Sequence, residues 1–93
     1  MKDKINFTSQ IWKEGNMFVA YNPELSVSSC GKTIEEAKKN LKEAVELFIE
    51  STEKMGTLKE ILQESGFIKK KVDHEKIWKA PELLSLERMS LSF

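Results

Sequence analysis

The chain has 93 residues, of which 40% are hydrophobic and 32% charged, and its 15 basic and 15 acidic side chains give a net charge of zero. This length suits one small domain, and the composition is that of a folded chain rather than a disordered one. The even charge argues against nucleic acid or a membrane surface as the main partner, and no apolar run approaches the ~20 residues that a membrane-spanning helix needs.

The numbers of cysteines and histidines limit the disulfides, metal sites and nucleophiles that the chain could have. Cys30 is the only cysteine and His74 the only histidine, so the sequence predicts no disulfide, no metal site and no cofactor. The two could form a nucleophile–base pair, but we favour a small strand residue and a surface histidine. Residues 1–6 contain no apolar signal segment, and we therefore expect a cytoplasmic protein.

Three strands are predicted within the first thirty residues. Residues 5–12 alternate between apolar and polar side chains, and residues 17–21 and 25–30 form two further runs of strand-forming residues. Turn-forming residues separate the three runs, at 13–16 and 22–24. Runs this close together are typical of an antiparallel meander.

A long helix is predicted over residues 34–54. Thr33 and Glu36 have capping-box spacing, in which each side chain accepts a hydrogen bond from the backbone N–H of the other residue. Behind this box the apolar residues recur with helical spacing and define a stripe that must cover one face of the sheet. The stripe consists of Ile34, Ala37, Leu41, Ala44, Val45 and Phe48.

The last third of the chain has weaker patterns. A short second helix begins near Leu58 and ends at Gly66. Residues 67–72 suit a strand or an extended loop, and residues 73–81 suit a connection. Residues 83–93 are predicted to form a final strand, with a bulge near Glu87 and Arg88.

Together these elements predict an α+β fold in two layers. It consists of a three-stranded antiparallel meander, a long helix, a short helix and a C-terminal strand. A metal-dependent nuclease of the RNase H type needs carboxylates that converge on metal ions, one of them on its first strand. Residues 5–12 contain no carboxylate, so we expect no enzyme activity and no catalytic residue.

Aromatic and basic residues are the remaining candidates for binding. Trp12, Tyr21 and Trp78 could anchor a protein partner, since Trp and Tyr are enriched at interface hot spots, or they could pack at the rim of the sheet. The basic stretch that begins with Lys69, Lys70 and Lys71 could contact phosphates or keep an edge strand from aggregating; we favour the second role.

Three segments, in this order, resemble the HicB family of antitoxins. Residues 17–25 are similar to an aromatic strand followed by Pro-Glu-Leu, residues 28–37 to a Gly-x-Thr-x-x-Glu-Ala passage, and residues 40–47 to the helix that follows. The resemblance covers residues 5–55. It implies a partial RNase H-like fold without catalysis, and an antitoxin that binds and masks a small ribonuclease toxin of the HicA type.

Many members of that family add a C-terminal DNA-binding domain, for which residues 56–93 are too short. These residues instead resemble the extension of short stand-alone members. The resemblance therefore implies a single HicB-like domain over residues 1–93, with a core at 5–55, an extension at 56–93 and no direct DNA binding.

The alternative is a stand-alone module that self-associates, or binds a ligand or another protein, and has no toxin partner. In either case we expect a homo-oligomer, most simply a dimer. The residues that could pair across its two-fold axis are those on one face of the predicted final strand: Met89, Leu91 and Phe93.

Overall fold

A computed structural model describes residues 3–93; Met1 and Lys2, with which the predicted domain begins, lie outside the described residues. The elements, in chain order, are β1 (Lys4–Asn6), β2 (Gln10–Glu14), β3 (Met17–Asn22), β4 (Val27–Gly31), α1 (Ile34–Met55), α2 (Leu58–Glu64), β5 (Ile68–Val72) and β6 (Glu75–Lys79). The predicted α+β class, with its meander, long helix and short helix, is confirmed, and strands do follow the short helix, although not at the predicted residues.

The predicted meander is an antiparallel sheet in the order β2-β3-β4. A two-residue turn joins β2 to β3, and its first residue, Gly15, has a φ of 58° that glycine adopts without steric cost. One side of this sheet packs on α1, where the buried Ala20 lies. We call the opposite side the outer face.

The predicted first strand, residues 5–12, is in fact two strands, and this part of the prediction is wrong. β1 and β2 are interrupted at residues 7–9. The cause lies in the turn after β3, where the Asn22 amide donates to the Thr8 carbonyl at 2.8 Å and the Glu24 carboxylate accepts from the Thr8 N–H at 2.8 Å. Because side chains satisfy both backbone groups of Thr8, its backbone is not paired in a ladder.

Helix α1 forms as its sequence pattern predicts. The Thr33 hydroxyl accepts from the Glu36 N–H at 3.0 Å, whereas the Glu36 carboxylate accepts from the N–H of Lys32, at 3.2 Å, rather than from that of Thr33. Ala37, Leu41 and Val45 are buried against the meander, so the centre of the predicted stripe forms the core. Ile34 and Leu47, at its margins, are exposed.

A second sheet, in the order β1-β6-β5, is built from the two ends of the described chain. β1 pairs in parallel with β6, and β6 pairs antiparallel with β5. Residues 67–72, left open between strand and loop, therefore contain a strand. The predicted connection over residues 73–81 is wrong, because it contains β6. The intervening Asp73 and His74 both have positive φ, as a tight type I′ hairpin turn requires.

The final strand predicted over residues 83–93 is also wrong. Residues 80–93 contain no helix or strand, and all but the half-buried Ala80 are exposed. A strand needs a neighbour for its backbone groups, and residues 83–93 pair with none of the strands β1–β6, so the predicted bulge at Glu87 and Arg88 has no ladder to interrupt. We refer to residues 83–93 as the C-terminal arm.

Candidate functional site

Two of the three aromatic residues predicted to bind a partner lie on the outer face of the meander. Trp12 on β2 pairs with Val19, and Tyr21 on β3 pairs with Gln10, so both side chains point away from α1. Trp12 is 41% exposed, whereas Tyr21 is half-buried. Because the helix covers the other side of the sheet, these two aromatic rings are placed together on a surface that it does not occupy.

Trp78 lies apart from these two, in the second sheet. It is 3% exposed, and its indole N–H donates to the Asp3 carboxylate at 3.3 Å. The Lys69 ammonium lies 3.5 Å from the same carboxylate and 5.4 Å from the centre of the Trp78 ring. The ring is thus a core residue whose polar edge is held by an ion pair.

Between this second sheet and the helices lies a cleft of about 240 Å³. We call it the acidic cleft, after the charges at its rim. Its apolar lining comes from both helices and from both strands beside them: Ile5, Ile49, Leu58, Leu62 and Trp78. Its charged lining has four carboxylates and one ammonium, from Asp3, Glu46, Glu50, Glu53 and Lys4. An apolar floor with a negative rim suits a partner that presents apolar and basic side chains together.

The C-terminal arm is the largest exposed apolar feature among the described residues. Its six large apolar side chains are between 60% and 119% exposed; they are Leu83, Leu84, Leu86, Met89, Leu91 and Phe93. The last three are the residues predicted to mediate self-association. Large exposed apolar surfaces mark interaction sites in soluble proteins.

The arm runs beside the free edge of β2 without joining it. The Arg88 guanidinium lies 5.5 Å from the centre of the Trp12 ring. A cleft of about 470 Å³, lined by residues 8–12 and by four arm residues, separates the two segments. We call this space the arm slot. Its arm side consists of Leu83, Leu86, Glu87 and Arg88.

The residues considered for catalysis and phosphate binding do not converge. Cys30 is an exposed residue of β4, and His74 lies in the β5–β6 turn of the other sheet. Within residues 3–93, no group of three or more His, Cys, Asp or Glu side chains is placed to hold a metal ion. Lys69, Lys70 and Lys71 lie on β5, which is an edge strand. That position agrees with the favoured role, since edge lysines oppose pairing with another chain.

Sequence reasoning missed two residues that organise these surfaces. Asn22 is fully buried, and it connects Thr8, Glu24 and Leu25 through its amide. The available signal is a polar residue directly before the Pro-Glu pair, a pattern that by itself predicts only a turn. Asp3, which precedes β1, gave no signal, because its partner Trp78 is 75 residues away.

Comparison of the chain with protein-family models, with curated proteins and with solved structures finds no match. Neither α1 nor α2, the helices of residues 3–93, is long and apolar enough to cross a membrane.

Proposed function

We propose that this chain is a cytoplasmic, non-catalytic protein-binding module of the antitoxin type, which binds and occludes a small ribonuclease of the HicA type. The observation that carries the proposal is the order of elements, an antiparallel meander followed by a long helix, which is the order that the resemblance implies. The three resembling segments occupy β3, β4 and α1, which pack on one another.

One close approach in this unit involves a glycine of the resembling segments. A Cβ atom on Gly31 would lie 2.7 Å from the backbone nitrogen of Ala37, which is far inside van der Waals contact. Ala37 itself is fully buried. The close packing of β4 on α1 therefore requires a small residue at both Gly31 and Ala37. Both residues lie in the segment that resembles the HicB family, so the resemblance includes residues that determine the packing of the fold.

The acidic cleft is the surface that we assign to the toxin. Ribonucleases bind a polyanion and are commonly basic, and the carboxylates of Glu46 and Glu50 at the rim attract such a partner. The carboxylates of this chain would cover the basic surface with which the ribonuclease binds RNA phosphates, and the ribonuclease would therefore be occluded.

The test starts with the tagged protein as bait in a lysate of its native host, with mass spectrometry as the readout. A small basic protein recovered at near-equal stoichiometry is then purified alone and assayed for RNA cleavage. We expect cleavage by the isolated partner and its loss when one equivalent of this chain is added. A partner without ribonuclease activity, or one whose cleavage is unaffected, contradicts the proposal.

A matched pair of charge reversals locates the surface. Glu46→Lys combined with Glu50→Lys changes the rim of the acidic cleft, and Glu35→Lys with Glu43→Lys makes the same charge change elsewhere on α1. We expect the first pair to abolish inhibition of the ribonuclease and the second to preserve it. Equal effects of the two pairs would show that net charge, and not this cleft, governs binding.

A second candidate function is favoured by the C-terminal arm. Its exposed apolar residues support a module that self-associates without a toxin. Light scattering on the full chain, and on a chain that lacks residues 86–93, measures the mass of each. We expect a dimer for the full chain and a monomer for the truncated one; an unchanged dimer would remove the arm from the interface.

A further inference from the structure

The number of residues between two points of contact indicates that the arm curves away from β2. Asn6 on β1 is in register with Lys79 on β6, and further along the two segments the Arg88 guanidinium lies over the Trp12 ring. The first segment thus advances six positions, from residue 6 to residue 12, while the second advances nine, from residue 79 to residue 88. The three extra residues on the arm side account for the arm slot.

The edge of β2 that faces this slot is unpaired within residues 3–93, where β2 pairs with β3 alone. An exposed strand edge of this kind is a template for a strand from another chain. The other sheet protects its edge strand β5 with three consecutive lysines, whereas β2 carries a single lysine, Lys13, near its end. Of the strand edges in the two sheets, that of β2 is the one that an apolar arm accompanies.

We propose that two copies of this chain exchange arms, and that the arm of the second copy fills the slot between β2 and the first copy's own arm. This inference rests on the self-association proposed above and specifies where the arm binds. By two-fold symmetry each arm then lies between the partner's arm and the partner's β2. The result is one continuous sheet of eight strands, four from each copy, with the two arms at its centre.

The direction of the strands supports this arrangement. β1 and β6 are parallel. Because β2 follows β1 in the chain and the arm follows β6, the arm of one chain runs in the same direction as its own β2. A two-fold axis reverses the partner's arm, so that arm is antiparallel both to β2 and to the first copy's arm. Every new pairing is therefore antiparallel, as in the meander, and antiparallel pairing is the more stable kind.

The apolar area is sufficient for a stable dimer. The two arms contribute twelve exposed large apolar side chains, six from each copy. At about 100 Å² each, they would supply ~1,200 Å² when covered, the lower bound for specific interfaces. An interface composed of these side chains also accounts for their exposure in the single chain.

Cross-linking between two differently tagged chains tests the exchange. Both chains have Cys30→Ser, which removes the native thiol; one then has Ser9→Cys beside β2, and the other has Ser92→Cys in the arm. If the two arms pair antiparallel about their middle residue, Arg88, then residue 92 of one copy lies opposite Leu84 of the other. Leu84 is on the stretch of the arm that faces Ser9, so the partner's residue 92 lies near Ser9 as well. The two chains are co-expressed and treated with a short bis-maleimide cross-linker, and we expect a covalent heterodimer. The matched control replaces Ser9→Cys by Ser28→Cys on β4, the other edge of the meander, and should lose that product.

Mass measurement on the same samples separates the possible failures. A dimer that dissociates on deletion of residues 86–93, but gives no product with Ser9→Cys, would leave self-association standing and overturn the exchange into the slot. A product with Ser28→Cys instead would place the arm on β4 and overturn it equally. A full chain that stays monomeric at all concentrations would overturn both self-association and the exchange.

Discussion

Apolar residues occur both in the meander with α1 and in the C-terminal arm, yet they have opposite surroundings. Ala20, Leu41 and Val45 are covered by other elements of the same chain, whereas the arm residues Leu91 and Phe93 are exposed. The apolar residues of this chain therefore serve two purposes. Those of the body stabilise the folded chain, and those of the arm favour association with another molecule.

The largest expected effect comes from the body, at the fully buried Asn22. Asn22→Leu removes the donor to the Thr8 carbonyl and the acceptor for the Leu25 N–H. Each backbone group left unsatisfied costs about 1–3 kcal/mol, so unfolding in urea should show a loss of about 2–6 kcal/mol. Asn40→Leu is the control, because Asn40 makes one hydrogen bond, to the Cys30 carbonyl, on the exposed side. We expect the control to lose about 1 kcal/mol; equal losses would contradict the role of burial.

The second prediction compares the two regions directly with the same substitution. Leu41→Ala in the body should lower the free energy of unfolding by about 2–5 kcal/mol, since it leaves a cavity beside α1. Leu91→Ala in the arm should leave the unfolding of the isolated monomer within about 0.5 kcal/mol, because Leu91 has no buried surroundings there. Measurement at low protein concentration keeps association from contributing. A large loss for Leu91→Ala would show that the arm packs on its own chain.

The third prediction concerns the close approach of β4 and α1. Gly31→Ala should cost about 1–3 kcal/mol, because the added methyl group would force the backbone of Glu36 and Ala37 to shift. Ser29→Ala, on the same strand, adds no atoms and serves as the control. Thermal unfolding of both variants gives the comparison, and a Gly31→Ala variant as stable as the control would show that the strand and helix can separate at low cost.

These body residues also show how far sequence reasoning reaches. The meander and α1 follow from local patterns, such as the Thr33 cap and the helical spacing of Ala37 and Leu41, because neighbouring residues determine them. The interruption of the first strand depends on Asn22, fourteen residues from Thr8, and alternation of side chains cannot reveal it. Local patterns thus determine the elements, while distant contacts determine where they break.

The C-terminal third was harder to predict for two further physical reasons. The β5–β6 turn has Asp73 and His74 at positive φ, where asparagine and glycine are the usual indications of a hairpin. The arm has the alternation of a strand but pairs with none of the strands β1–β6 of its own chain. Alternation in a sequence shows which side chains share one face of a strand, but it does not identify the strand that pairs with it. The acidic cleft and the arm slot were unpredictable because each joins segments far apart in sequence.

The smallest expected effect distinguishes the two helices within the body. Thr33→Ala removes the hydroxyl that accepts from the Glu36 N–H, and it should lower the free energy of unfolding by about 1 kcal/mol. Thr57 stands at the corresponding position of α2, but its side chain accepts no capping hydrogen bond and instead donates to the Thr52 carbonyl at a long 3.4 Å. Thr57→Ala should therefore cost about half as much or less, since this bond is at the weak end of the usual range. Urea unfolding of both variants gives the comparison; a larger loss for Thr57→Ala would mean that the junction between the helices, rather than the start of α1, limits the stability of the body.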